Sequence, residues 1–274
     1  MRRSHRLMWL GLIIGACLLA GCSSSADKTT TDTRAASQSG ATSTVELTIS
    51  AAASLTDAMK EIQQDYESQH ENIKLSFNFG ASGALQQQIE QGAPVDLFFS
   101  ASTRNMELLL EQKLIEAEWN DTIIHNELVV IVPADKDMSI QGIEDLNSGA
   151  VQHLAIGEPR TVPAGSYAQE ALTAKQLWDS LQPRIVLAKD VRQVLTYVES
   201  GNAEAGFVYR SDAEGSDKVT IALHVDPQTY TPIEYPAGVV STSKHPEEAS
   251  EFFTYLQGDE AQAIFEKYGF SPTR

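Results

Sequence analysis

Val45-Glu-Leu-Thr-Ile-Ser-Ala-Ala-Ala-Ser-Leu-Thr-Asp-Ala-Met59 changes its hydrophobic period half-way along. Val45, Leu47 and Ile49 alternate with polar residues as a strand does, whereas Leu55, Met59, Ile62 and Tyr66 recur three or four apart, on one face of a helix. Between them lie the small residues Ala51 to Ala53, and Ser54-Leu-Thr-Asp57 has the spacing of a capping box. A strand therefore feeds a helix through a turn with no bulky side chain to keep a ligand from its backbone N–H groups.

The same grammar recurs along the chain. Ile73 to Phe79 alternates and runs into Gly80-Ala-Ser-Gly83, with Leu85 and Ile89 starting a helix behind it. Val95 to Phe99 reads as a buried strand, Met106, Leu109, Leu110 and Leu114 as the next helix, and Leu128 to Val132 as an apolar strand stopped by Pro133. Further strands are predicted at 154–156, 184–188 and 205–209, and helices at 165–177 and 191–200, the last two entered through Pro163-Ala-Gly-Ser166 and Asp190-Val191. Pro246 to Tyr268 adds two helices. This βαβ alternation predicts an α/β fold with parallel sheets.

Four strand-to-helix turns built alike have a chemical implication. The first N–H groups of a helix lack intrahelical acceptors and carry a positive partial charge, so several aimed at one point make an uncharged anion site. Each turn also has a purely structural reading. Ser54 and Ser82 suit N-caps, Gly80, Gly83 and Gly165 suit tight turns, and spacing alone does not make the four turns converge.

The N-terminus is of another kind. Arg2, Arg3 and Arg6 precede an apolar run from Leu7 to Ala20, too short for a comfortable membrane span and read as a secretory signal over residues 1–21. The run ends in Leu19-Ala-Gly-Cys22, which resembles the lipobox of bacterial lipoproteins and implies cleavage before Cys22 and a lipid on its thiol. Residues 22–44 then form a flexible tether, because Ser23 to Thr44 has neither apolar periodicity nor an aromatic residue.

Composition narrows the function. With 20 Lys+Arg against 37 Asp+Glu the formal charge is −17, and loss of the three leader arginines makes it more negative by three, so a nucleic-acid partner is excluded. A hydrophobic content of 42% excludes general disorder, and both cysteines, Cys17 and Cys22, lie in the leader region, where they build no disulfide framework. His70, His125, His153, His224 and His245 are scattered without metal-ligand spacing. There is no Gly-x-Ser-x-Gly elbow, no phosphate-binding loop of the Walker type and no histidine set beside Ser54, so binding is favoured over turnover. A hydrolase using Ser54 or Ser82 is the enzymatic alternative.

Ala51 to Met59, Phe79-Gly-Ala-Ser-Gly83, Gly92-Ala-Pro-Val-Asp-Leu-Phe98, Val162-Pro-Ala-Gly-Ser-Tyr-Ala168, Asp190-Val-Arg192, Gly206-Phe-Val-Tyr209 and Phe265 to Phe270 occur in an order that resembles the molybdate-binding proteins of molybdate ABC importers. The resemblance spans nearly all of residues 45–274. It implies a two-lobed α/β periplasmic-binding-protein fold (type II), with residues 45–127 and 222–274 in one lobe and 128–221 in the other. It implies capture of molybdate, with tungstate, by a monomeric lipid-anchored extracytoplasmic receptor that serves an ABC permease and its ATPase, without a cofactor. Sulfate or phosphate is the alternative oxyanion.

Transferred position by position, the ligand contacts are the hydroxyls of Ser54, Ser82 and Tyr209 and the backbone N–H groups of Ala164 and Val191, with no side chain ligating the metal directly. The family often has serine on both sides of the residue matching Ser82, where this chain has Ala81 and Gly83. Tyr209 by itself reads equally as a strand-end aromatic in a cleft between lobes. An unprotonated tetrahedral dianion accepts hydrogen bonds and donates none, so Asp57 and Asp190 are expected to cap helices and not to face it.

Overall fold

The computed structural model describes residues 44–136 and 138–273, so the signal segment, Cys22 and the tether up to residue 43 lie outside the described residues. The chain begins with β1 (Val45–Ala52), a 3-10 turn at Ala53–Leu55, α1 (Thr56–Gln69), β2 (Ile73–Gly80) and α2 (Ser82–Glu90). It continues through β3 (Leu97–Phe99), α3 (Thr103–Glu111) and a long β4 (Ile115–Asn126). It then crosses to a second sheet with β5 (Leu128–Pro133), β6 (Leu154–Gly157), α4 (Pro163–Ala174), α5 (Trp178–Leu181), β7 (Ile185–Ala188), α6 (Val191–Glu199), β8 (Ala205–Tyr209), α7 (Arg210–Glu214) and β9 (Val219–His224). β10 (Ile233–Val240), α8 (Pro246–Leu256), α9 (Asp259–Lys267) and β11 (Ser271–Pro272) return to the first.

The first sheet has the order β11-β4-β10-β3-β1-β2 and the second β7-β6-β8-β5-β9. β1 pairs in parallel with β2 and β3, and β6 with β7 and β8, as βαβ units require. β10, however, runs antiparallel to β3 and β4, and β5 antiparallel to β8 and β9. The expectation of parallel sheets is therefore corrected to mixed ones. β5 and β10 each enter from the other sheet, with no crossover helix to impose a parallel direction.

β4, β9 and β10 are strands that periodicity did not reveal. β4 buries only Ile115, Ile123, Ile124 and Asn126 of its twelve residues, so its sequence looks like a polar loop. β10 contains Pro236, which argues against a central strand, yet the proline sits where the register with β4 shifts. β9 pairs with β5 as far as His224, so residues 222–224 lie in the second sheet and the expected crossing at 222 falls inside a strand. The return crossing occupies the interval between His224 and Ile233.

Two helices end earlier than their apolar spacing implies. Lys113 and Gln176 adopt φ of 58° and 59°, and in each case the next N–H reaches back five residues, Leu114 to Leu109 and Leu177 to Leu172. That closure is a Schellman cap, and it returns Leu114 and Leu177 to the apolar layer without a further helical turn. α1 is held firmly: Met59, Ile62 and Tyr66 are at most 1% exposed, each apolar side chain contributing roughly 1.5–3 kcal/mol on burial. The turn between β1 and α1 is thus fixed to the core at both ends.

Candidate functional site

Helices α2, α4 and α6, together with the 3-10 turn leading into α1, begin at one small pocket between the sheets. Its wall is Ala52, Ala53, Ser54, Gly80, Ala81, Ser82, Ala101, Val162, Pro163, Ala164, Val191 and Tyr209, around a free volume of about 10 Å³. All five residues expected to contact a ligand are in it: Ser54 in the turn, Ser82 first in α2, Ala164 second in α4, Val191 first in α6 and Tyr209 last in β8. Not one residue of the wall has an ionisable carboxylate, ammonium or guanidinium. The space is far below the range of pockets for drug-sized ligands.

The hydroxyls are arranged as donors. Ser82 Oγ accepts the N–H of Ala101 at 2.9 Å, so its own proton is free to point into the pocket. Ser54 Oγ lies 2.9 Å from the Tyr235 hydroxyl. Neither serine caps its helix, which corrects the capping-box expectation for Ser54: the 3-10 turn and α1 begin without a side-chain cap. Tyr209 is 1% exposed and its hydroxyl has no hydrogen-bond partner within 3.5 Å among the described residues. Burial raises its pKa well above the ordinary phenol value, so it remains a donor. Pro163, which has no N–H to satisfy, starts α4, leaving Ala164 and Val191 to present first-turn N–H groups that have no intrahelical acceptor.

Of the two carboxylates expected to cap helices, Asp190 does so, accepting the N–H of Gln193 at 2.8 Å. Asp57 does not. It accepts from Arg192 Nη2 at 2.6 Å, joining α1 to α6 across the cleft. Arg192 also lies 3.5 Å from Asp212, which is fully buried. Burial pushes the Asp212 carboxyl up to about 6 against the opposing pull of Arg192. The guanidinium beside Val191 is thus offset by two carboxylates, and attraction for an anion is left to N–H and O–H dipoles.

Gly83 explains one departure from the family pattern. Its N–H donates to the carbonyl of Thr161 at 3.0 Å, and a Cβ at this position would stand 2.8 Å from that oxygen. A serine here would force the lobes apart in this arrangement. Tyr167 adds a further bridge, its hydroxyl donating to Ala101 O at 3.3 Å. A larger hollow of about 270 Å³ lies elsewhere, but Asp121, Asp259 and Glu266 in its wall make it unsuited to an anion. Among the described residues no cluster of three or more His, Cys, Asp or Glu could hold a metal ion.

The triad Asp57–Arg192–Asp212 and the Tyr235 contact were not visible in sequence. Asp57 and Arg192 both fall in quoted motifs, yet 135 positions separate them and no spacing rule joins them.

Two α/β lobes closing helix N-termini and hydroxyl donors over one uncharged pocket define a cleft-type solute-binding protein. The chain belongs to the family described as bacterial extracellular solute-binding protein, whose model matches residues 47–271. It is similar to YvgL of Bacillus subtilis (strain 168), 44% identical over 264 residues and 96% of this chain and 97% of that one. It is also similar to the molybdate-binding protein ModA of Haemophilus influenzae, 37% identical over 229 residues, covering 82% of this chain and 90% of that one. Among solved structures it resembles the periplasmic molybdate-binding protein of Azotobacter vinelandii, with a TM-score of 0.76, 26% identity, and 83% of this chain and all of that one covered.

Proposed function

We propose that this chain captures molybdate, and tungstate with it, outside the cytoplasm and delivers it to the permease of an ABC importer. The observation that carries the reading is a small pocket to which two lobes bring Ser54, Ser82, Ala164, Val191 and Tyr209, with no ionised side chain in its wall. Such a wall matches an anion that accepts at every oxygen and donates nowhere. The names of the relatives support the choice of molybdate among tetrahedral anions. A thermal-shift titration of the purified protein with molybdate, tungstate, sulfate and phosphate tests it.

Tyr209→Phe gives a sharper probe of the pocket. The lost hydroxyl has no partner among the described residues, so the free protein should be as stable as before or slightly more so. Binding should weaken by roughly 1.5–3 kcal/mol, the worth of a hydrogen bond to a charged group. Calorimetric titration alongside a melting curve checks both, and unchanged affinity would remove Tyr209 from the site.

Membrane attachment is part of the same proposal. The lipobox ending at Cys22 supports it. Cys22→Ser should move the protein from the membrane to the soluble extracytoplasmic fraction. Unchanged partitioning into detergent would count against the anchor.

A further inference from the structure

Behind Ser54 lies a short chain of buried polar groups, Asn126, Ser211 and Tyr235. Asn126, at the end of β4, accepts the N–H of Glu127 through Oδ1 at 2.9 Å, which orients its amide. Its Nδ2 therefore faces Ser211 Oγ at 2.8 Å and, at a longer 3.4 Å, the hydroxyl of Tyr235. An amide NH₂ can only donate, so the Tyr235 oxygen accepts there and keeps its single proton for another partner. Ser54 Oγ lies within reach at 2.9 Å, a contact in which either hydroxyl can donate. Tyr235 is fully buried, and burial holds its pKa well above the ordinary value, so the proton is not lost. Its ring is held edge-on by Tyr209 and Phe270, with centroids 5.7 and 5.5 Å away.

A serine oxygen that already accepts has its own proton available for the pocket. Ser82 reaches the same condition by a different device, the Ala101 N–H. We propose that Tyr235, oriented by Asn126, is a positioning residue that compels Ser54 to donate into the cleft and so makes the site selective for oxyanions carrying no proton. The inference rests on the oxyanion reading of the cleft. Without Tyr235 as donor, Ser54 can turn a lone pair toward the ligand and accept from a protonated oxygen such as that of hydrogen phosphate.

Tyr235→Phe keeps the ring and its packing while removing the donor. Titration calorimetry near neutral pH with molybdate and with inorganic phosphate should show the ratio of their affinities falling at least about tenfold, the equivalent of one hydrogen bond gained or lost. A merely structural role would weaken both anions together and leave the ratio unchanged, which would overturn the proposal. The second readout is a double-mutant cycle. In a Ser54→Ala background, where the group that Tyr235 acts through is gone, Tyr235→Phe should change neither affinity further. Additive effects would also overturn it. Failure of the unaltered protein to bind molybdate would instead sink the underlying reading, so the two failures are distinguishable.

Discussion

Arg192→Met is expected to cost the folded protein about 3–5 kcal/mol at neutral pH and markedly less in mild acid, because it leaves a buried carboxylate without its partner. Asp212 is wholly buried, and its remaining polar contact is a long one, the Tyr209 N–H at 3.4 Å. Even with Arg192 beside it, burial holds its carboxyl near 6, above the value of about 3.9 for an exposed aspartate. The native state therefore holds a proton that the unfolded chain has released, and stability falls as pH rises between those two values. Removing the guanidinium raises the folded pKa further and extends the penalty upward in pH. Below about pH 4 the carboxyl is protonated in both states and the penalty disappears. Asp57 is 39% exposed and can turn to water, so it adds little to the deficit. Urea denaturation of both forms at pH 5 and pH 7.5 is the check, and an equal deficit at the two values would refute the account.

Molybdate and tungstate should raise the melting temperature at micromolar concentration, while sulfate and phosphate fail in large excess. Charge cannot separate sulfate from molybdate, because both are tetrahedral dianions. Size can: metal–oxygen bonds are longer than sulfur–oxygen bonds, and the donors have little slack. Ala164 and Val191 present backbone N–H groups from helix first turns, and Ser82 is tied to Ala101. If the smaller sulfate leaves two donors out of reach, at about 1.5 kcal/mol each, affinity drops about a hundredfold. Phosphate fails differently, since near neutral pH it retains a proton and the pocket offers that proton no acceptor. A sulfate or phosphate shift equal to that of molybdate would move the chain to the alternative oxyanion reading.

The strand-to-helix turns were readable because small residues and a change of hydrophobic period are local signals. Helix starts at Ser82 and Val191, and the apolar face of Met59, Ile62 and Tyr66, follow from them directly. The meeting of those turns at one pocket was supplied in sequence only by the family resemblance. Strands whose burial is supplied by distant partners were not readable, as β4 shows with its polar composition and β10 with Pro236. The site divides the same way. Groups that touch the pocket sit in motifs, whereas Tyr235 and Asn126 act through hydrogen bonds spanning 181 and 109 positions, and no periodicity encodes these. Asp57 looked like a capping residue because its spacing from Ser54 is the same whether it caps a helix or bridges two lobes.

The contacts across the cleft at Gly83–Thr161, Tyr167–Ala101 and Arg192–Asp57 join protein to protein, so they are available to the receptor whether or not it carries cargo. Strengthening any of them stabilises the closed shape of both loaded and unloaded molecules, and only the difference between the two lets a transporter tell them apart. Bridges that are too strong would send empty receptors to compete for docking and idle the importer. Bridges that are too weak would let cargo escape before hand-over. The single glycine that permits close approach at Thr161 therefore sits where traffic efficiency, and not affinity alone, limits how tightly the lobes can hold each other.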